Sequence, residues 1–250
     1  MRAFVTRRLL DYWTRRAERE IHRNRDTAVR FLSRALALDP ANARLLSLRA
    51  QARGPGDGDA DHEAALALSP GDPTIFSRRA VALTRHAEME GIRRRIGPSA
   101  RLELITEAAA CCSAALALDP HDQHARYLRS ACRIEMDDLQ GALADLSELA
   151  GLAPQNTLYL QRLGAIEARR GAYSEAIAHL SQALDLDADC QQAQAARALC
   201  RLRLGDHSGA KLDAEGALAR DPHDELAFAV CAVLKGDPDD IAGDLVCRGL

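Results

Sequence analysis

The stretch TLYLQRLGAIEARRGAYSEAIAHLSQALDLDADC, residues 157–190, carries the reading of the whole chain. Leu160, Leu163, Gly164 and Glu167 recur at helical spacing, Gly171 interrupts them, and Tyr173 opens a second stretch with Ala176, Leu180 and Ala183 on one face. This is the pattern of a helix hairpin. Gly164, Ala176 and Ala183 stand where the two helices must approach closely, so a larger side chain there is expected to overpack the contact by roughly 1–3 kcal/mol.

The end of this stretch returns along the chain: ALALDPAN at 35–42, ALALSPGD at 65–72, ALALDPHD at 115–122, ALDLDADC at 183–190 and ALARDPHD at 217–224. Pro120 and Pro154 are 34 residues apart and Pro154 and Pro222 are 68, with Ala188 standing where the intermediate proline would fall. Each phrase joins an apolar helix end to an Asp or Ser able to cap the next helix and a proline suited to a helix start. Composition agrees with an all-α chain. Ala and Leu make up about a third of the 250 residues, against nine aromatics, too few strand formers for a β sandwich.

These residues resemble the tetratricopeptide repeat (TPR) family, whose 34-residue antiparallel helix pairs stack into a right-handed superhelix. The signature positions in 157–190 are Leu160, Leu163, Gly164, Tyr173, Ala176, Leu180 and Ala183, with Ala188 departing from the usual proline. The unit at 191–224 keeps Gly205, Ala210, Ala214, Ala217 and Pro222, though Arg197 stands where the family prefers an apolar residue. The unit at 123–156 keeps Ala142, Leu146 and Pro154, and that at 9–42 keeps Ala28, Leu32, Ala35 and Pro40. The resemblance implies one solenoid domain over 1–250, with about six units and a C-terminal capping helix in 225–250. Two units are irregular. The stretch 43–72 is short and contains GPGDGDAD at 54–61, which predicts a shortened second helix. The stretch 73–122 is overlong, and EGIRRRIGPSARLEL within it reads either as an extension of the first helix or as an inserted loop.

No catalytic constellation stands out. GPGDG at 54–58 is not a dinucleotide fingerprint, and neither a P-loop, HExxH nor GxSxG occurs. Asp57, Asp59 and Asp61 imitate a calcium loop, but His62 and Leu68 occupy the places that need glycine and glutamate, so a flexible acidic turn is expected. His121 and His124 lie beside Asp119 and Asp122, where helix capping is preferred over a metal site. The seven cysteines show no disulfide framework or zinc spacing and read as buried reduced thiols. Cofactor and metal are expected to be none, and the chain is expected not to be an enzyme.

Net charge is −3 with pI near 6.2, which argues against non-specific nucleic-acid binding, and no apolar run reaches the ~20 residues of a membrane span. The Arg-rich start lacks a secretory core, and Asp11, Glu18 and Glu20 argue against a transit peptide, so a reducing, cytoplasmic location is expected. Charge is uneven. Residues 1–34 carry ten Arg against four acidic residues, whereas 205–250 carry four basic against ten acidic. A solvated face accounts for this; a self-associating subunit joined through opposite ends is the alternative, and RNA binding through Arg93, Arg94, Arg95 and Arg101 is a weaker one. Tyr12 and Trp13 read as N-terminal packing in preference to a docking anchor.

In the TPR family the first helices line a concave groove for a peptide or partner helix. Carried over, the groove candidates are Arg44, Ser47 and Gln51; Ser77, Arg78, Val81 and Arg85; His124, Tyr127, Ala131 and Glu135; Gln161, Arg162, Ala165 and Arg169; and Gln192, Ala195, Leu199 and Arg203. The lining is mildly basic, which suits an acidic peptide or a free C-terminal carboxylate. The carboxylate clamp of the heat-shock co-chaperones in this family is not intact, because Trp13 and Ala17 stand where Lys and Asn belong and Arg78 lacks its partners in register. The expected function is therefore a non-catalytic protein-interaction scaffold or adaptor.

Overall fold

The computed structural model describes residues 2–92 and 95–236, with side chains omitted at 2–5 and 191. Among the described residues there are thirteen α-helices and no strand. Contacts divide the chain after Asp137 into two compact units. The first contains α1 (Arg2–Glu20), α2 (Arg25–Leu38), α3 (Ala43–Arg53), α4 (Asp59–Leu68), α5 (Pro73–Ile92), α6 (Pro98–Leu118) and α7 (Gln123–Glu135). The second contains α8 (Leu139–Leu152), α9 (Thr157–Arg169), α10 (Tyr173–Leu186), α11 (Gln191–Arg203), α12 (His207–Arg220) and α13 (Glu225–Lys235). The division falls inside the 123–156 sequence unit. Helix α1 begins at Arg2, seven residues before the start inferred from the repeat pattern.

Within each unit, successive helices pack as hairpins, and alternate helices also touch: α3 with α5 and α5 with α7 in the first unit, α9 with α11 and α11 with α13 in the second. Alanine makes this stacking possible. Ala28, Ala35, Ala80, Ala108, Ala142, Ala176, Ala183, Ala210, Ala214 and Ala217 are fully buried at the helix crossings. At Gly164 the approach is tight: an added Cβ would lie 2.5 Å from Leu180 Cγ and 3.2 Å from the Ala176 carbonyl oxygen.

The repeated phrase works differently from its reading as a helix start. Asn42, Asp122 and Asp224, the last residues of their phrases, cap α3, α7 and α13 by accepting the backbone N–H three residues on. The earlier aspartates, Asp119 and Asp221, instead accept the N–H of His121 and His223 within the turn. Pro40, Pro120 and Pro222 lie in these turns between helices, where a missing N–H costs nothing.

The overlong unit resolves into neither proposed form alone: both of its helices are lengthened, α5 to 20 residues and α6 to 21, against 13 in α7 and 14 in α8. In the short unit α4 has ten residues. The acidic stretch there is not a flexible turn. Asp59 and Asp61 occupy the first turn of α4 and are ion-paired, Asp59 with Arg79 and Asp61 with Arg49 and Arg53.

Asp61 belongs to a recurring network. Arg49 donates through Nε and Nη2 to Asp61 at 2.8 and 2.6 Å and through Nη1 to Ser33 at 3.4 Å, while Arg53 adds a contact to Asp61 at 3.0 Å. In the second unit Arg197 grips Asp213 with two bonds of 2.8 Å and reaches Ser181 at 3.1 Å, and Arg201 joins Asp213 at 2.8 Å. Arg129 reaches Ser113 at 3.4 Å in the same way. Arg49, Arg79, Arg129 and Arg197 are each the seventh residue of their helix, the place where an apolar residue was expected at 197. At Arg49 and Arg197 the guanidinium fork ties an acid on the following helix to a hydroxyl on the preceding one, whereas Arg79 joins Asp59 on α4 to Glu107 on α6.

At the N-terminus Trp13 is packed, stacking on Phe31 at 5.5 Å under the Arg34 guanidinium at 4.9 Å. Tyr12 stays 47% exposed and accepts a hydrogen bond from Arg16. Arg93 and Arg94, and the tail after Gly236, lie outside the described residues. No helix among the described residues is long and apolar enough to cross a membrane.

Candidate functional site

In the first unit, the groove candidates on α3 and α5 are drawn into contacts with their own neighbours. Arg44 pairs with Glu18 at 2.6 Å, Arg78 donates to Ser47 at 3.3 Å, and Arg85 reaches the Ile21 carbonyl and the His22 ring. Helices α1, α3 and α5 thus share one face, but side chains of the unit itself occupy it. Burial first, and then the Arg44 charge, hold the Arg78 guanidinium below its usual value. Ser47 and Ser77 are buried, the latter donating to Asp122 at 3.0 Å, so neither presents a free hydroxyl to a groove. Gln51, Val81, Tyr127 and Ala131 are half-buried, and His124 is exposed at the start of α7.

Glu135 belongs elsewhere. It pairs with Arg101 at 2.5 Å at the mouth of a 910 Å³ cavity formed by the lengthened ends of α5 and α6 with α7. Arg95 pairs with Glu90. Two of the four arginines of the candidate RNA patch are therefore neutralised by acids of the same unit.

The second unit gathers its candidates around an open space. A cavity of about 300 Å³ between α9, α11 and α13 is lined by Gln161, Arg162, Ala165, Gln192 and Ala195, together with Leu180, Ala196, Asp224 and Leu226. The floor is aliphatic and the rim polar, a composition suited to holding one apolar side chain and the backbone that carries it. Arg162 is exposed and has no ion pair among the described residues. Across the cavity, the Asp224 carboxylate uses Oδ1 to accept the Ala227 N–H at 2.9 Å, which leaves its second oxygen available. Gln161 contacts the Cys190 thiol on the rim. Arg169 and Arg203 are exposed on α9 and α11 but do not line the cavity. Leu199 is not a surface residue: it is 2% exposed and packed in the core with Ala195, Ala198 and Val230.

The four lining residues that the sequence reading missed come from outside its template. Leu180 is on a second helix, Asp224 and Leu226 belong to the α12–α13 turn and the start of α13, and Ala196 adjoins the chosen Ala195. The 34-residue shift that relates Gln192 to Leu226 was signal enough to find the latter.

Nothing in the titration of the cysteines among the described residues suggests a nucleophile. Burial pushes Cys111 and Cys200 up to about 11 and Cys132 to about 12, and raises Cys112 further. Among the described residues no three His, Cys, Asp or Glu side chains could share a metal. We expect Cys112, Cys132 and Cys200 to resist maleimide in native protein at neutral pH and to react promptly in denaturant, which intact-mass spectrometry reads directly.

The hairpin stacking and its spacing define a TPR fold. No family profile matches the sequence. Among solved structures, the type IV pilus biogenesis factor PilW superposes with a TM-score of 0.66 at 18% identity over 89% of this chain and 98% of its own. PilF of Pseudomonas aeruginosa gives 0.65 at 14% identity over 91% and 99%. YrrB, a TPR protein described as having an unusual peptide-binding site, gives 0.62 at 15% identity over 79% and 95%. A curated relative, the TPR and J domain-containing co-chaperone DNJ1 of Cryptococcus neoformans var. grubii, is 36% identical over 81 residues, which span 32% of this chain and 16% of that protein. At these identities the structural likeness is one of fold.

Proposed function

We propose that the chain is a non-catalytic protein-interaction scaffold that takes a peptide segment of a partner in the cavity between α9, α11 and α13, and that it works in the cytoplasm. The observation that carries this reading is the convergence of Gln161, Arg162 and Gln192 on one aliphatic floor. The two amides can each donate to and accept from an extended backbone, and Arg162 can fork onto a carboxylate, so the preferred ligand carries an acidic group, as a side chain or a free C-terminus. The array over 1–250 is read as one functional domain, with the first unit as a supporting scaffold.

The test is to select peptides by phage display on the full chain and measure their affinity by fluorescence anisotropy for the native protein and for Ala165→Trp. Ala165 is half-buried on the cavity wall, so the indole fills the space without entering the core. The reading predicts at least a tenfold loss of affinity with an unchanged circular dichroism spectrum. Equal affinity for both proteins contradicts it.

One observation favours self-association as a second reading. Arg8, Arg15, Arg16 and Arg19 on α1, and Arg23 in the turn after it, surround Tyr12, with Asp11 and Glu20 as the acids among them. A mass above 27 kDa at about 50 mM salt that collapses at about 500 mM would support that reading.

A further inference from the structure

Helix α1 carries a surface that the peptide reading leaves unused. Its inner side packs Leu10, Trp13, Ala17 and Ile21 into the core of the first unit. At about 100° per residue, Arg8, Arg15, Arg16 and Arg19 all fall within about 60° of Tyr12 on the opposite side, and Leu9 joins them. Asp11 and Glu20 fall about 80–100° from Tyr12, so the acids stand on the flanks and the crest is basic. Arg23, in the turn after α1, extends the row.

Charge, shape and apolar content select the partner. Arg15, Arg19 and Arg23 are exposed and have no ion pair among the described residues, so the crest is not neutralised from within the unit. From Arg8 to Arg19 it runs about 16 Å at 1.5 Å per residue. Among the described residues, the groups around Tyr12 all come from α1 or the turn after it. The surface is therefore a ridge with no opposing wall: it offers a peptide no groove, whereas a flat anionic surface meets it along its whole length. Leu9 and Tyr12 are exposed among the arginines, and Arg16 donates to the Tyr12 hydroxyl at 2.7 Å. An aromatic ring with a polar tip suits the boundary between headgroups and hydrocarbon. We infer that α1 adsorbs to an anionic lipid bilayer, its guanidiniums forking onto headgroup phosphates while Leu9 and Tyr12 reach into the interface. This is adsorption at the surface and requires no membrane span. It goes beyond the peptide reading, stands without it, and assigns to a lipid surface the ridge that self-association would otherwise use.

The test is co-sedimentation of the full chain with phosphatidylcholine vesicles, either alone or with about a third phosphatidylglycerol. Binding is expected to the anionic vesicles at about 100 mM salt, with little to the neutral ones and loss at about 500 mM. Arg15→Glu with Arg19→Glu should lower partitioning at least tenfold, because each arginine near such a surface contributes about fivefold. Arg170→Glu with Lys211→Glu makes the same change in net charge at exposed sites of the second unit and should leave binding largely unchanged. Leu9→Ser with Tyr12→Ser should weaken binding several-fold while keeping its salt dependence, which separates the apolar contribution from the charge. Equal binding to both kinds of vesicle, binding to neither, or full binding by the Arg15→Glu, Arg19→Glu variant would each overturn the inference. So would a species above 27 kDa at low salt without vesicles that the same variant abolishes, or displacement from vesicles by a poly-glutamate peptide at equal charge, because either assigns the ridge to a protein partner. Neither result bears on the cavity between α9, α11 and α13, which Ala165→Trp tests separately.

Discussion

Asp213→Ala should lower the stability of the protein by about 3–5 kcal/mol, the cost of removing one partner from a buried ion pair. Asp213 is 2% exposed and holds two arginines at once, Arg197 through two bonds and Arg201 through one. Without it, two guanidiniums with little solvent access face each other, with the Ser181 hydroxyl left to Arg197 and the Gly209 carbonyl and the more distant Asp206 carboxylate left to Arg201. The network itself need not be stabilising, because two cations and an anion lost hydration when it formed. Replacing all three groups, Arg197→Leu with Arg201→Met and Asp213→Ala, should therefore recover most or all of the loss. Urea unfolding followed by circular dichroism reads both. A midpoint for Asp213→Ala equal to that of the native protein would show that the arginines find water or new partners at no cost. The equivalent change at Asp61, held by Arg49 and Arg53, should behave alike in the first unit.

Gly164→Val is the second large effect. The added Cβ would meet Leu180 Cγ at 2.5 Å and Cδ2 at 2.8 Å, with the Ala176 carbonyl at 3.2 Å, before the valine methyls are counted. Leu180 is 1% exposed and cannot swing into solvent, so α9 and α10 must part. Overpacking of this kind costs typically 1–3 kcal/mol, and the β-branched side chain regains little of it in helix propensity. The space argument has a specific signature. In a double-mutant cycle, Leu180→Ala should be markedly less harmful in the Gly164→Val background than in the native one, because it removes the clashing atoms. Additive losses would place the cost of valine in the backbone instead of the contact with Leu180. Since Leu180 and Ala165 also line the cavity, Gly164→Val should weaken peptide binding as well.

These two sites differ in how openly the sequence announces them. Gly164, Ala176 and Ala183 are legible because close helix approach demands small side chains at fixed spacing, and the helical period of Leu160, Leu163 and Glu167 places them on one face. The arginine network was not legible by the same route. Arg197 breaks the apolar period, and its acid lies 16 residues away on another helix; only the recurrence of Ser and Arg 16 residues apart, at 33 and 49, 113 and 129, and 181 and 197, marks the pattern. The turns were misread because Asp119 and Asp122 are equally good caps in sequence, and only the structure shows that the second caps the helix while the first closes the turn.

The groove shows the same limit. Helical spacing chose the correct face of α9 and α11 for Gln161, Arg162, Ala165, Gln192 and Ala195, since a face is a local property. Whether a face is open depends on how near its neighbours come. In the first unit α1, α3 and α5 approach so closely that Arg44, Arg78 and Arg85 bond to Glu18, Ser47 and Ile21, contacts made across 26, 31 and 64 residues. No local pattern encodes that distance, nor that Leu199 on α11 turns into the core.

The most direct test of the account is an NMR titration of alanine-methyl-labelled full-length protein with a peptide selected on it. The account predicts that the Ala165, Ala195 and Ala196 methyl signals, which line the cavity, shift together and saturate at one affinity, while Ala28, Ala80 and Ala108 in the core of the first unit stay fixed. Shifts confined to the first unit, with the three cavity methyls unmoved at saturation, would contradict it.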